Sequence, residues 1–170
     1  MINRSDKKAF YGVPSAEGNP TFTRMKYFTE LSISKNPKEY SRQYVDEASE
    51  RTDVTGYSPS MSYAFDDFVG DVVLEDIVEI TNEEKLGINA QREIVQVDFS
   101  RPAANGGFEA VKRTFAVIAD TEGNSTDAYT YGGTFKAVGP KVLGVATIAT
   151  PAEGNSENVE TITFAENQGE

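Results

Sequence analysis

The sequence predicts a mainly β fold, a β-sandwich or partly open barrel with one α-helix packed against it. Most periodic segments alternate β-branched or aromatic residues with polar ones, and glycine- or proline-containing turns separate them. A single stretch, residues 71–85, repeats its apolar residues at helical spacing. With 170 residues, the chain suits one domain with a sizeable core.

The first 21 residues are predicted to form a flexible N-terminal arm. They are mostly polar and are interrupted by two glycines and two prolines, which favour loops. Phe10 and Tyr11 are their only large aromatic residues. Residues 22–34 follow as a strand that ends before Asn36 and Pro37, with Leu31 and Ile33 on one face.

Residues 37–57 are predicted to form a long inter-subunit loop. They hold eight charged residues between Lys38 and Asp53 and no sustained apolar period. A connection this long is uncommon inside a compact domain and is often functional. A solvated loop would not need its tyrosines and valines, whereas an interface uses tyrosine and arginine. The predicted interface residues are Tyr40, Arg42, Tyr44, Asp46, Arg51, Asp53, Val54 and Tyr57.

The segment 71–85 is predicted to be a helix that packs through Val73, Ile77 and Ile80, which are spaced at i, i+4 and i+7. Asp71 suits the N-cap position, and Gly87 suits the stop after the last turn.

The remaining segments are predicted to be strands. These are residues 58–66, 91–101, 108–120, 134–139, 142–150 and 158–165. The fourth and fifth are expected to pair as a hairpin around Gly139 and Pro140. A polar turn covers 151–157, and an acidic C-terminal tail covers about 165–170.

The composition argues against an enzyme. The chain has no Cys, His or Trp, which removes disulfides, thiolate or imidazole metal ligands and Ser-His-Asp machinery. The glycines and lysine of residues 132–136 lack the spacing of a phosphate-binding loop, and Asp66, Asp67 and Asp71 lack that of an EF-hand. We therefore expect no catalytic residue, no metal and no cofactor.

The charge and hydropathy patterns bear on partners and location. Sixteen Lys and Arg stand against 27 Asp and Glu, for a net charge of −11 that repels a phosphate backbone. No stretch approaches ~20 apolar residues, and residues 1–8 lack the apolar core of a signal peptide. We expect synthesis and assembly in the cytoplasm and no membrane partner.

Two blocks of the sequence resemble the major tail tube proteins of long-tailed phages of Gram-positive bacteria. The first block runs from Pro37 through Arg42, Tyr44 and Thr52 to Tyr63. The second comprises residues 133–139 and 142–144 and is similar to the family's closing hairpin. The resemblance spans most of residues 35–150.

This resemblance implies a β-sandwich with one helix that assembles as stacked hexameric rings. In that family, one sheet from each subunit joins its neighbours to line a channel for DNA ejection, and a long loop and the N-terminal arm bridge subunits. The implied partners are other copies of the chain and the tape measure, tail terminator and distal tail proteins, with DNA only in transit. The implied location is the virion tail, made in the host bacterial cytoplasm.

A channel wall that releases DNA should be polar and acidic. The strands 58–66 and 91–101 are candidates for the lining sheet because each alternates apolar with polar residues. The predicted lining residues are Ser60, Ser62, Asp66, Glu93, Gln96 and Asp98.

Other functions remain open at this point. A carbohydrate- or surface-binding β-domain, as in an adhesin or tail-fibre module, would cluster its aromatics in a groove, whereas the tyrosines here are spread along the chain. The tube of a contractile tail shares the fold but is enclosed by a sheath. A carboxylate-based hydrolase is a more distant alternative.

Overall fold

A computed structural model describes residues 1–149 and 159–167 of the chain. The predicted turn 151–157 and residues 168–170 of the predicted tail lie outside these ranges. The helix is α1 (Val72–Asn82). The strands are β1 (Lys7–Val13), β2 (Thr21–Arg24), β3 (Phe28–Ser34), β4 (Pro37–Arg42), β5 (Arg51–Tyr57), β6 (Ser60–Asp66), β7 (Gln91–Pro102), β8 (Phe108–Glu122), β9 (Thr130–Ala137), β10 (Val142–Ile148) and β11 (Thr161–Glu166).

Six strands close into a barrel in the order β1, β7, β8, β10, β11 and β2. The ring closes because β10 pairs with both β8 and β11, and β2 pairs with both β11 and β1. The buried side chains inside it are Phe10, Phe22, Val95, Val97, Ala110, Ala146, Val159 and Ile162. A barrel with additional strands and one helix confirms the predicted fold class.

A second sheet continues from the barrel because β8, with 15 residues, is longer than the barrel requires. The C-terminal part of β8 pairs with β9, β9 pairs with β6, and β6 pairs with β3. Strand β6 has the predicted alternation, with Met61, Tyr63 and Phe65 buried. The ring of Tyr63 stacks on Phe135 with centroids 4.4 Å apart, so an aromatic layer covers one face of this sheet.

Helix α1 packs on that apolar face. Its side chains Val73, Ile77 and Ile80 are buried, which confirms the predicted packing face. The carboxylate of Asp71 accepts hydrogen bonds from the backbone N–H groups of Val73 and Leu74, as an N-cap residue does. The helix ends at Asn82, earlier than the predicted 85.

A partly buried polar network joins α1 to the barrel. Asp76 of the helix accepts hydrogen bonds from Arg92 of β7, at 2.9 Å to Nε and 3.2 Å to Nη2, and from the Tyr11 hydroxyl of β1 at 2.5 Å. Burial, followed by the nearby Asp76 carboxylate, raises the pKa of Tyr11 well above its usual value, which keeps the hydroxyl protonated as a donor.

The N-terminal segment differs from the predicted flexible arm. Residues 7–13 form β1, which pairs with β2 on one side and β7 on the other. Phe10 points into the barrel and Tyr11 points toward α1, and both are fully buried. Because both faces of the strand are covered, its apolar residues do not alternate, and the pattern resembled a loop.

Two predictions of strand connectivity were wrong. The predicted strand 22–34 is two strands, because β2 belongs to the barrel and β3 to the second sheet, and Tyr27 between them has a positive φ of 62°. The predicted hairpin of 134–139 with 142–150 does not form. Instead, β9 pairs with β6 and β8, while β10 pairs with β8 and β11.

Candidate assembly interface

The segment 37–57 folds as an isolated β-hairpin rather than as an irregular loop. Strands β4 and β5 pair only with each other and form a two-stranded sheet that is separate from the barrel and the second sheet. No side chain in residues 37–57 is buried. A two-stranded hairpin on its own is only marginally stable. The exposed side chains of this hairpin therefore form a surface that a partner could cover.

The predicted interface residues all lie on this hairpin. The aromatic and aliphatic members are about half exposed: Tyr40 at 50%, Tyr44 at 47%, Val54 at 53% and Tyr57 at 60%. The predicted charged members, Arg42, Asp46, Arg51 and Asp53, are exposed as well. The structure therefore gathers the predicted set on one projecting element without contacts to the cores.

The end of the hairpin is organised by a cluster around Tyr44. The guanidinium groups of Arg42 and Arg51 lie 5.7 and 6.0 Å from the ring centroid. Arg51 also forms an ion pair with Glu47. Cation–π contacts at exposed sites contribute about 0.5–1 kcal/mol each, so the cluster favours this conformation of the turn.

Strand β3 is a free edge of the second sheet. It pairs with β6 on one side, and no described strand pairs with its other side. Its burial pattern is mostly exposed. Unpaired N–H and C=O groups along an edge strand can accept a further strand from another chain, so β3 is a second candidate contact.

The predicted lining residues separate into two groups. In β6, Ser60, Ser62 and Asp66 share the polar face of the second sheet, opposite to Met61 and Phe65.

The register extends that polar face to β7. Ser60 pairs with Lys136, Lys136 with Ala116, and Ala116 with Gln91, and Glu93 is two residues further along the strand. Glu93 therefore lies on the same face as Ser60.

Gln96 and Asp98 lie on the opposite face of β7, so they do not share a surface with the β6 serines. Both line a groove of about 760 Å³ between the outside of the barrel and strands β3 and β6. Asp98 contacts Ser100, Lys7 and Arg101 there. The hydrogen bond from Ser100 is the main cause that lowers the pKa of Asp98. The sequence-based grouping mixed the faces, because residue 93 has the opposite parity to 96 and 98.

Within residues 1–149 and 159–167, no group of three or more Asp or Glu side chains could hold a metal ion. Among the same residues, no helix is long and apolar enough to cross a membrane. The features that stand out are an uncovered hairpin, a free strand edge and a polar sheet face.

Comparison with known proteins identifies similar structures only. No protein-family model and no curated protein matches the chain. A chain of the extended sheath–tube complex of an extracellular contractile injection system, PVC, is 16% identical, covers 84% of this chain and 90% of its own, and gives a TM-score of 0.41. A chain of the six-fold symmetrised anti-feeding prophage baseplate is 8% identical, with coverages of 81% and 89% and a TM-score of 0.42. Neither name specifies a long-tailed phage of Gram-positive bacteria, so that part of the resemblance stays a prediction.

Proposed function

We propose that this chain is a structural tail tube protein that polymerises as stacked hexameric rings around a channel for DNA. The observation that carries the proposal is the β4–β5 hairpin, which displays tyrosine, valine and arginine side chains and contributes no residue to either described core cluster. Interfaces are enriched in tyrosine and arginine, so a second copy is the natural cover for this surface.

The free edge of β3 supports the same proposal. Natural proteins usually protect such edges, because an open edge invites further strands to pair with it. In a ring, the edge of one subunit meets a neighbour, and no edge remains open. The resemblance of residues 35–150 to tail tube proteins adds independent support from the sequence.

The net charge of the chain suits a protein that lines a channel for DNA. A net charge of −11 repels the phosphate backbone, so transported DNA would pass without sticking. In this proposal the polar face with Ser60, Ser62, Asp66 and Glu93 lines the channel, and the aromatic layer faces away from it. The chain has no catalytic role. Its other partners are the tape measure, tail terminator and distal tail proteins of a virion tail.

We expect the purified protein to form rings or tubes. Sedimentation over a wide range of protein concentrations should show species much larger than the 18.6 kDa chain, and negative-stain electron microscopy should show rings with a central channel. A protein that stays monomeric at every concentration, and never forms rings, would contradict the proposal. Compact monomers that bind glycans would instead favour a surface-binding domain.

The lining assignment predicts that Asp66→Lys tubes retain DNA. The substitution places an ammonium group on the polar face of β6, where it attracts phosphate. Linear double-stranded DNA should co-sediment with Asp66→Lys tubes at low salt and be released as salt rises. The matched control is Glu17→Lys, which makes the same charge change in the exposed loop between β1 and β2. Equal DNA retention by the two variants would show that Asp66 does not line the channel.

A further inference from the structure

A basic pocket lies at the base of the β4–β5 hairpin. It has a volume of about 380 Å³ and lies between the hairpin base and the outer wall of the barrel. Lys35 precedes β4, Arg113 comes from β8, and Lys141 precedes β10. Ile33 and Tyr57 supply apolar walls, and no Asp or Glu lines the pocket.

The three cations of the pocket are unpaired in residues 1–149 and 159–167. None of them forms an ion pair with a described acidic side chain, and the Nε of Arg113 is buried without a hydrogen-bond partner. Arg92, one strand away, has its guanidinium satisfied by Asp76. Because no described carboxylate neutralises Lys35, Arg113 or Lys141, the pocket offers their positive charge to an incoming acidic group.

The charge of the pocket is opposite to that of the chain. Acidic residues outnumber basic ones by 27 to 16, yet this pocket gathers three basic residues and no acidic one. The positive charges of the three basic residues repel one another, and a carboxylate between them would be attracted to each of them. Arginine also recognises a carboxylate through two parallel hydrogen bonds. The pocket therefore suits a carboxylate.

We propose that this pocket binds a carboxylate from the hairpin turn of a second copy of the chain. The inference rests on the proposed assembly and names the receptor for the hairpin within it. The carboxylates that would enter the pocket are those of Asp46 and Glu50, both exposed on the turn between β4 and β5 and without an ion pair in the described part of the chain. Neighbouring Val45, fully exposed, would meet the apolar wall of the pocket.

The hairpin cannot place its own turn in this pocket. Tyr57 at the base of β5 lines the pocket, whereas the turn follows the six residues of β4. At about 3.3 Å per residue, the turn lies about 20 Å from the base. The carboxylate that enters must come from another copy, which makes the contact an intermolecular one.

The first test reverses the charge of an exposed lysine of the pocket. Lys141→Glu should raise the protein concentration needed for assembly about tenfold or more, because it sets like charges against each other at the contact. Lys136→Glu, an exposed lysine on the polar face of β9, is the matched control and should leave that concentration unchanged. Adding Lys35→Glu, Asp46→Lys and Glu50→Lys to Lys141→Glu, which reverses the charge on both sides of the contact, should restore assembly. Equal effects of Lys141→Glu and Lys136→Glu, with no rescue, would overturn the proposal.

The second test uses the absence of cysteine in the chain. A Lys141→Cys chain mixed with a Glu50→Cys chain should form disulfide-linked heterodimers under mild oxidation, about tenfold more than a Lys136→Cys chain does with the same partner. Heterodimers without tubes would support the pocket and contradict the tube. Tubes without selective heterodimers would support the tube and overturn the pocket.

Discussion

Removing the β4–β5 hairpin should abolish assembly and leave the domain folded. Deletion of residues 42–55, closed by a short Gly-Ser turn, removes the exposed side chains that the proposal places at the subunit contact. The free energy of unfolding should change little, because no residue of the segment is buried or belongs to a core cluster. Sedimentation and electron microscopy should show monomers only, and thermal melting should show an intact fold.

A second variant tests whether assembly depends on the side chains of the segment or only on its length. Replacing residues 42–55 with the same number of glycine and serine residues keeps the reach of the chain but removes its tyrosines, arginines and carboxylates. We expect this variant to remain monomeric as well. Normal tubes from either variant would mean that the hairpin is not the assembly contact.

Removing Asp76 should destabilise the domain more than any other single change in the polar network between α1 and β7. Asp76→Ala leaves the Arg92 guanidinium and the Tyr11 hydroxyl without their shared acceptor, and the Arg92 side chain is only 11% exposed. Leaving one partner of a buried pair uncompensated costs about 3–5 kcal/mol. Urea denaturation of the monomer should report a loss of this size.

Tyr11→Phe is the matched control for that prediction. It removes one hydrogen bond but leaves the Asp76–Arg92 pair in place, so the loss should be about 0.5–1.5 kcal/mol. If Asp76→Ala lowers the free energy of unfolding no more than Tyr11→Phe does, the Asp76–Arg92 ion pair contributes nothing to stability.

The same tyrosine gives the network a dependence on high pH. The pKa of Tyr11 is raised in the folded protein, so the unfolded chain releases this proton at a lower pH than the folded one. The stabilisation is therefore complete below about pH 10, the usual pKa of tyrosine, and is lost as pH rises above it. Tyr63 acts in the same direction, because burial and then Asp120 raise its pKa to about 12.

Local patterns were sufficient where the physical cause is local. The helix was predictable because Val73, Ile77 and Ile80 recur at helical spacing and Asp71 caps the first turn through its own neighbours. Strand β6 was predictable because one of its faces is apolar and the other polar. The hairpin 37–57 was identified as unusual from its charges and tyrosines, although its regular strand pairing was not foreseen.

Pairing between strands that are distant in sequence could not be predicted from local patterns. β1 resembled a flexible arm, because a strand buried on both faces shows no alternation. The sequence also could not tell that β10 pairs with β8 and β11 rather than with β9, since either partner satisfies the same backbone groups.

By itself, then, the amino-acid sequence determined the mainly β class, the single helix and its buried face, the acidic balance and the unusual character of segment 37–57. Only the tertiary structure decided which strands close the barrel, that Gln96 and Asp98 face a groove rather than the β6 serines, and that Lys35, Arg113 and Lys141 meet in one pocket. The physical reason is the separation along the chain over which each effect acts. Propensity and periodicity act over a few residues, whereas strand partners and charge clusters arise from contacts between residues dozens of positions apart.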